Sequence, residues 1–406
     1  MIKVPVAYPA GKNYTDRVQK RKGSFMNRKE ILEIRNQFTP EKAAIDTLCG
    51  CYVDHEKKKR FVTRKAFGQL SAEEEFKYHD IFRHTLSGTI GKNLLSLAFP
   101  LEQEAQGGAQ EFLLSLRDSK LQDDELLDQF FDRIIASYVY EANYYIIVIH
   151  GAYDIPSKAT DGMEMFDASE DVYDFILLSI CPVNLAKAGL SYNLSDNDIK
   201  ERVRDWVVDV PEKGFLFPAF TDRNTDIHSV LYYTKKPEDL QADMMERLFS
   251  SPIPLTAGAQ KETFGMLISS LLGEECNYRS VANVHESLGE MIAEHKEDPE
   301  PLMIDDAAFH SLLAKSGISS EICAMAEDGF RAVAGKETKL LADNITNSRQ
   351  YQIKTPEITI KVDPAYADRI STRIIDDRQC LVIPVDDHIE FNGIDVRTIG
   401  KDPSQS

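Results

Sequence analysis

Three apolar segments, RDWVVDV (204–210), GFLFPAF (214–220) and HSVLYYT (228–234), follow one another with only short connections. Aromatic and β-branched residues dominate them, which favours strands. Connections this short cannot hold a crossover helix, so successive strands are expected to be antiparallel neighbours in a meander. A doubly wound parallel sheet is thereby excluded, because it needs a helix between strands.

The chain before these segments mixes helix and strand patterns. NYYIIVIHGAYD (143–154) is a continuous apolar run and predicts a central strand. VYDFILLSICPVNL (172–185) predicts another, ended by Pro182. IDTLCGCYVD (45–54) is strand-like and is expected to pair with KKKRFVTRKAF through the basic turn at Lys57 to Arg60. NRKEILEIRNQF places Ile31, Ile34, Arg35 and Phe38 at helical spacings. Ser71 with Glu74 is a capping-box signature that opens a helix to about Thr85. AQEFLLSLRDSKL reads as helix, and the doublets Leu126-Leu127, Phe130-Phe131 and Ile134-Ile135 paint one buried helix face.

The character changes at about residue 237. PEDLQADMMERLFSS is helical, SPIPL breaks the chain, and every periodic segment from Thr256 to about Ala342 reads as helix. EDPEP (297–301) is an acidic, extended connector within it. The pattern then flips to β. QYQIKTPEITIKVD, ISTRIIDDRQCLVIPVD and HIEFNGIDVRTIG carry turn signals at Asp376-Asp377, Asp386-Asp387 and Asn392-Gly393, the last a strong hairpin cue. The expected fold class is α+β, with a mainly antiparallel sheet and flanking helices, a helical subdomain and a small β-rich C-terminal unit. The expected divisions are 1–25 as a leader or non-native extension, 26–250, 251–345, 346–398 and a tail at 399–406. Residues 1–25 hold six cations against Asp16, a local charge of +5 that leaves -24 for the rest of a chain of net charge -19. The codons for Arg21-Lys22-Gly23 can spell a ribosome-loading sequence, so Met26 is the expected natural start.

Charge and cysteine usage limit the chemistry. A chain this acidic repels phosphate backbones at long range, which disfavours nucleic-acid binding unless cations gather on one face. No apolar run reaches the ~20 residues of a membrane helix, and the start lacks a secretory pattern. Six cysteines in 406 residues make no disulfide framework. Cys49 and Cys51 have no second close pair to complete a zinc site, so reduced thiols in the cytoplasm are expected.

The stretch TDRNTDIH (221–228) raises the sharpest functional question. Asp222, Asp226 and His228 could ligate a divalent metal, or serve as acid, base and orienter. Arg223 could clamp an anionic substrate with its planar fork. His150 and Asp154, in IHGAYD, end the most apolar strand; if the two strand ends meet, all five would form one constellation. The competing reading is a turn closed by Asp222 and Asn224, with Arg223 paired locally. The turn is the favoured reading. HESLGEMIAEH (285–295) lacks the spacing of a metalloprotease helix, because its second histidine comes ten positions on. GTIGKN (88–93) lacks the longer loop that cradles phosphate, and no dinucleotide fingerprint or nucleophile elbow is present. No organic cofactor is implied; a divalent metal is the one that the residues admit.

Several phrases carry a resemblance. CGCYVD, TLSGTIGKNLLSLAFPLEQE, GGAQEFLLSLRDSKLQDDELL, SICPVNLAKAGLSYN, RVRDWVVDVPEKGFLFPAFTDRNTDIHSVLYYTK and CLVIPVDDHIEFNGI resemble a bacterial family known only as a domain of unknown function. The likeness runs from about Met26 to Arg397 and brings no functional residues with it. A looser architectural likeness links the order of α/β part, helical part and β-rich tail to bacterial nucleoid-associated proteins. Three readings follow. The first is a non-catalytic binding or scaffold protein whose acidic surface meets a protein partner, with a homo-oligomer admitted. The second is a metal-assisted hydrolase centred on His150, Asp154, Asp222, Asp226 and His228. The third is a nucleoid-associated protein.

Overall fold

Ile31 and Ile34 face inward from the first helix, α1 (Arg28–Arg35), whose N-cap Asn27 forms a capping box with Glu30. The structure is a computed structural model that describes residues 25–158, 164–165, 171–298, 300–336, 338–347, 350–385 and 389–396. The expectations for the leader, Asp386-Asp387, Pro299 of EDPEP and the 399–406 tail lie outside the described residues. The chain divides into two compact units, 1–257 and 258–406.

After α1, the first unit continues with β1 (Ala44–Val53) and β2 (Lys59–Ala66), an antiparallel hairpin in which Cys51 faces Val62. Its turn runs from Asp54 to Lys58, and Lys57 takes a positive φ of 59°. Helix α2 (Ala72–Thr85) opens on Ser71, which closes its capping box with Glu74. Then come β3 (Leu94–Ala98), α3 (Ala109–Asp118), α4 (Asp124–Ser137) and β4 (Tyr144–Asp154). A short pair, β5 (Ser157–Lys158) and β6 (Glu164–Met165), precedes β7 (Val172–Leu185). The chain proceeds through β8 (Leu190–Asn193), β9 (Asp198–Glu201), β10 (Trp206–Val208) and β11 (Lys213–Phe217). It ends with β12 (Ala219–Thr221), β13 (Asn224–Asp226), β14 (Ser229–Thr234) and α5 (Ala242–Phe249).

The main sheet has the order β2-β1-β4-β7-β11-β14-β3, with β10 joined to β7, and its pairings are antiparallel. The fold class is therefore α+β, built on a large antiparallel sheet with flanking helices. Strand β4 lies near the middle, and its side chains alternate between two cores. Ile146 and Val148 join Phe130, Ile134, Met244 and Phe249 on one face, with α3, α4 and α5. Ile147 and Ile149 join Ile31, Ile34, Phe82 and Leu86 on the other, with α1 and α2. Both faces being covered is why this antiparallel strand reads as an unbroken apolar run instead of an alternating one.

Two local expectations are corrected. Strand β7 does not stop at Pro182 but runs on to Leu185. Pro182 stands opposite Tyr144, the first residue of β4, so its missing N–H falls where that ladder ends. Its carbonyl still accepts the Asp209 N–H at 2.9 Å. The three segments that promised a meander are also arranged differently. GFLF and SVLYYT do pair, as β11 and β14, but WVV lies in line with β11 along β7 instead of beside it. Pro218 divides GFLFPAF, leaving β12 to pair with β13 in a hairpin of its own.

The second unit carries α6 (Ala257–Leu272), α7 (Tyr278–Glu294), α8 (Asp306–Lys315), α9 (Ser320–Ala324), α10 (Ala326–Ala334) and α11 (Ala342–Ile345). A small pair, β15 (Met303–Ile304) and β16 (Leu340–Leu341), interrupts the helical stretch. Phe264, Leu267, Leu288, Phe309, Leu312 and Phe330 form its core. Three hairpins follow: β17 (Tyr351–Lys354) with β18 (Thr359–Val362), β19 (Ser371–Ile375) with β20 (Arg378–Val382), and β21 (Ile389–Phe391) with β22 (Ile394–Val396). Asp376-Asp377 and Asn392-Gly393 form their turns with positive φ at both residues, the type I′ geometry.

Candidate functional site

The polar stretch 221–228 begins as a two-residue hairpin loop. Thr221 pairs with Asn224, so Asp222 and Arg223 are its central residues, with φ of 51° and 55°. Two successive positive φ values define a type I′ turn, whose twist matches that of the flanking strands. Asp and Asn tolerate this region better than most residues because a short polar side chain can bond locally. Asn224, the first residue of the returning strand, braces the turn by donating an Nδ2 proton to the Asp222 carbonyl at 2.9 Å.

Helix α1 clasps this turn with two carboxylates one helical turn apart. Glu30 Oε1 accepts the Asp222 backbone N–H at 2.7 Å, and Oε2 accepts that of Asn27 at 2.8 Å. Burial pushes the Glu30 carboxyl above its ordinary range; these N–H groups oppose the shift, and the Asp222 carboxylate adds to it. Glu33 Oε1 meets Arg223 Nη2 at 3.1 Å and accepts the Tyr153 hydroxyl at 2.8 Å. Arg223 also donates to the Pro156 carbonyl at 3.3 Å. Glu33 and a carbonyl thus occupy the Nη2 arm of the fork proposed to hold an anionic substrate, while the buried Nε has no hydrogen-bond partner among the described residues. Burial, with Glu33 adding, drives the Tyr153 phenol well above its ordinary range, so it stays a neutral donor.

The structure brings the β4 end and the turn together, but through Tyr153. Tyr153 lies on the α1–α2 face with Ile147 and Ile149. His150 follows Ile146 and Val148 and therefore points to the opposite face. There its Nδ1 lies 3.3 Å from Asp46 Oδ2, and its Nε2 lies 3.8 Å from Asp174 Oδ1. Burial lowers the His150 pKa, while the two carboxylates pull it back up. Asp154 is exposed at the end of the ladder, opposite Val172.

Asp226 and His228 serve the exit from the hairpin. Asp226 Oδ1 accepts the His228 N–H at 3.0 Å, closing a short turn into β14. The half-exposed His228 ring places Nδ1 3.1 Å from Glu104 Oε1. His150 and His228 thus have carboxylate partners of their own, none of them Asp222 or Asp226. Among the described residues, no group of three or more His, Cys, Asp or Glu comes together to hold a metal ion. In the second unit, His285 of α7 meets Thr346 Oγ1 at 3.0 Å from its Nδ1.

Sequence reasoning missed Glu30, Glu33 and Tyr153. The Asn27-x-x-Glu30 spacing was a legible capping box; the reach to Asp222, 192 positions on, was not.

It also missed the most exposed apolar feature among the described residues of the first unit. Beyond the main sheet, β7 and β10 continue as a two-stranded arm into β8 and β9. Leu185 pairs with Trp206 and Leu190 with Glu201, and between them Ala186 bonds Asp205 and Arg202 bonds Gly189, all in one register. The loop at residues 194–197 closes the tip, with Asn197 at a φ of 50°. Leu190, Leu194 and Val203 are 77%, 85% and 84% exposed, and Tyr192, Ile199 and Trp206 are also exposed. The alternation L-S-Y-N before Ser195-Asp196-Asn197 was the available signal.

The family model described as Domain of unknown function (DUF4317) matches residues 26–394, nearly the whole chain. The chain belongs to this family. The DUF4317 match spans the hairpin clasp and the arm alike. No curated protein matches the chain, and no solved structure does. No helix among the described residues of this DUF4317 chain is long and apolar enough to cross a membrane.

Proposed function

We propose that this member of the DUF4317 family is a non-catalytic binding or scaffold protein, and that the arm at residues 184–208 is its contact surface. The observation that carries this reading is the row of exposed apolar side chains on a ribbon two strands wide. A two-stranded hairpin is marginal in water by itself, and contiguous exposed apolar surface marks interaction sites. The pairing of Arg223 with Glu33 and of His228 with Glu104 favours a binder over a hydrolase at that position. The chain's net charge of -19 weighs against a nucleoid role, although Lys187, Lys200, Arg202 and Arg204 share the polar face of the arm.

The test compares intact wild-type protein with a Leu190→Asp/Ile199→Asp variant as bait in extracts of the cells that make it. A protein retained in fixed stoichiometry by the wild type and lost with the variant supports the reading. Identical capture by both overturns it.

A further inference from the structure

We infer that the cationic face of the arm docks into the major groove of double-stranded DNA. This face lies opposite the apolar one, so the binding reading above does not depend on it. Three observations lead there.

The first is where the strand register puts the cations. Cross-strand partners lie on one face of a ribbon, and every second pair shares it. The bonds of Ala186 to Asp205 and of Arg202 to Gly189 set Lys187 opposite Arg204 and Gly189 opposite Arg202. Ser191 faces Lys200, and Asn193 faces Asp198. Lys187, Arg204, Arg202 and Lys200 therefore share one face, with Asp198 at its outer end. Glu201 and Asp205 lie on the reverse, with Leu190, Tyr192 and Ile199. In a chain of net charge -19 this is a segregated positive stripe, the condition under which an acidic protein can hold a phosphate backbone.

The second is availability. All four cations are exposed. Lys200 meets Asp196 at 2.6 Å, an exposed ion pair of the kind that adds little stability and yields to a competing anion. Arg204 gives its Nε proton to the Ala186 carbonyl at 2.6 Å, which leaves its terminal N–H groups to donate. Among the described residues, no carboxylate pairs with Lys187, Arg202 or Arg204. A Cβ on Gly189 would meet nothing within 4 Å, so the space beside Arg202 is open.

The third is shape. No residue from 184 to 210 is buried, and β8 and β9 pair only with each other. From Ala186 to Asn193 the arm extends about 23 Å, at roughly 3.3 Å per residue. The Debye length is about 8 Å at physiological ionic strength, so the negative field of the rest of the chain fades along it. A two-stranded ribbon fits the major groove, which is about 12 Å wide. Arg204, Arg202 and Lys200 follow one another at steps of about 6.7 Å, roughly twice the axial spacing of phosphates on one DNA strand. The planar arginine forks suit both phosphate and the guanine edge. An acidic protein surface supplies the charge but neither the groove nor this spacing, so DNA is the better fit.

Fluorescence anisotropy of a short labelled DNA duplex, titrated with the full chain from low to physiological salt, tests the inference. The wild type is expected to bind, with log K falling against log salt at a slope of about -3. Lys187→Gln/Arg202→Gln/Arg204→Gln is expected to weaken binding at low salt by at least about tenfold and to flatten most of that slope. Lys29→Gln/Lys42→Gln/Lys354→Gln removes the same charge from exposed sites elsewhere and is expected to leave binding within about twofold. Circular dichroism of each variant controls for folding. A wild type that does not bind, or equal losses in the two triple variants, overturns the inference. Displacement of the duplex by poly-glutamate or by a single strand at equal charge concentration also overturns it, because the face would then select charge without the groove.

Discussion

Glu30 and Asp222, 192 positions apart in sequence, are joined by a hydrogen bond of 2.7 Å from the Asp222 N–H to the Glu30 carboxylate. The other oxygen of the same carboxylate caps α1 through Asn27. One buried side chain thus fixes both the start of a helix and the tip of a hairpin on the same face of the sheet. Glu30→Ala leaves two backbone donors without their acceptor, and each loss of this kind costs about 1–2 kcal/mol. Urea denaturation should show a loss of about 2–4 kcal/mol in all. A change below about 0.5 kcal/mol would mean that water replaces the carboxylate fully.

Asp222 itself should matter through its backbone. Asn also suits a positive φ, so Asp222→Asn should stay within about 0.5 kcal/mol of wild type. Asp222→Val forces a β-branched side chain into the left-handed region and should cost about 1–2 kcal/mol. Thermal unfolding of both variants checks the pair. Equal losses would show that the carboxylate, and not the turn geometry, is what the position requires.

Gly214 of β11 sits under α2. A Cβ there would lie 2.3 Å from the Leu178 carbonyl oxygen and 2.6 Å from the Thr85 methyl. Thr85 is held in place by a 2.7 Å hydrogen bond to Ser179, so the neighbours cannot both yield. Gly214→Ala should destabilise by about 3 kcal/mol or more, read as a shift in the urea midpoint.

Buried histidines should make the protein acid-sensitive. His79 of α2 is fully buried against Phe67 and Phe82, at ring distances of 5.2 and 6.5 Å. Burial lowers its pKa below the ordinary 6.5, although Glu75 opposes the shift. His150 and His285 shift the same way. As pH falls below 6.5 the unfolded state takes up protons first, so this stability is present above that value and is lost as pH falls through the folded pKa. Glu30 has the opposite sign: its raised pKa contributes stability below 4.5 that is lost as pH rises through the folded value. Unfolding free energies measured at pH 8 and at mildly acid pH should therefore differ less in His79→Phe than in wild type. An unchanged difference would place the acid sensitivity elsewhere.

Local chemistry was legible in the sequence, and long-range partnership was not. Ser71 with Glu74, the apolar face of α4 and the Asn392-Gly393 turn each depend on residues a few positions apart. The course of β7 past Pro182 depends on where β4 begins, which no local pattern records. The candidate site divided along the same line. Asp222 and Asn224 signalled a turn by their types, but Glu33 and Tyr153, the residues around Arg223, come from α1 and β4. His150 received its neighbours Asp46 and Asp174 from the two strands beside it, a pairing that only the sheet order supplies.

The central claim is that the exposed face of the arm is covered when the protein works. Hydroxyl-radical footprinting measures this directly, by comparing Tyr192, Leu190 and Ile199 in the cells that make the protein with the same residues in dilute purified protein. Binding through the arm predicts strong protection of Tyr192 in cells, with Leu190 and Ile199 following it. Equal labelling of these residues in both settings would contradict the account.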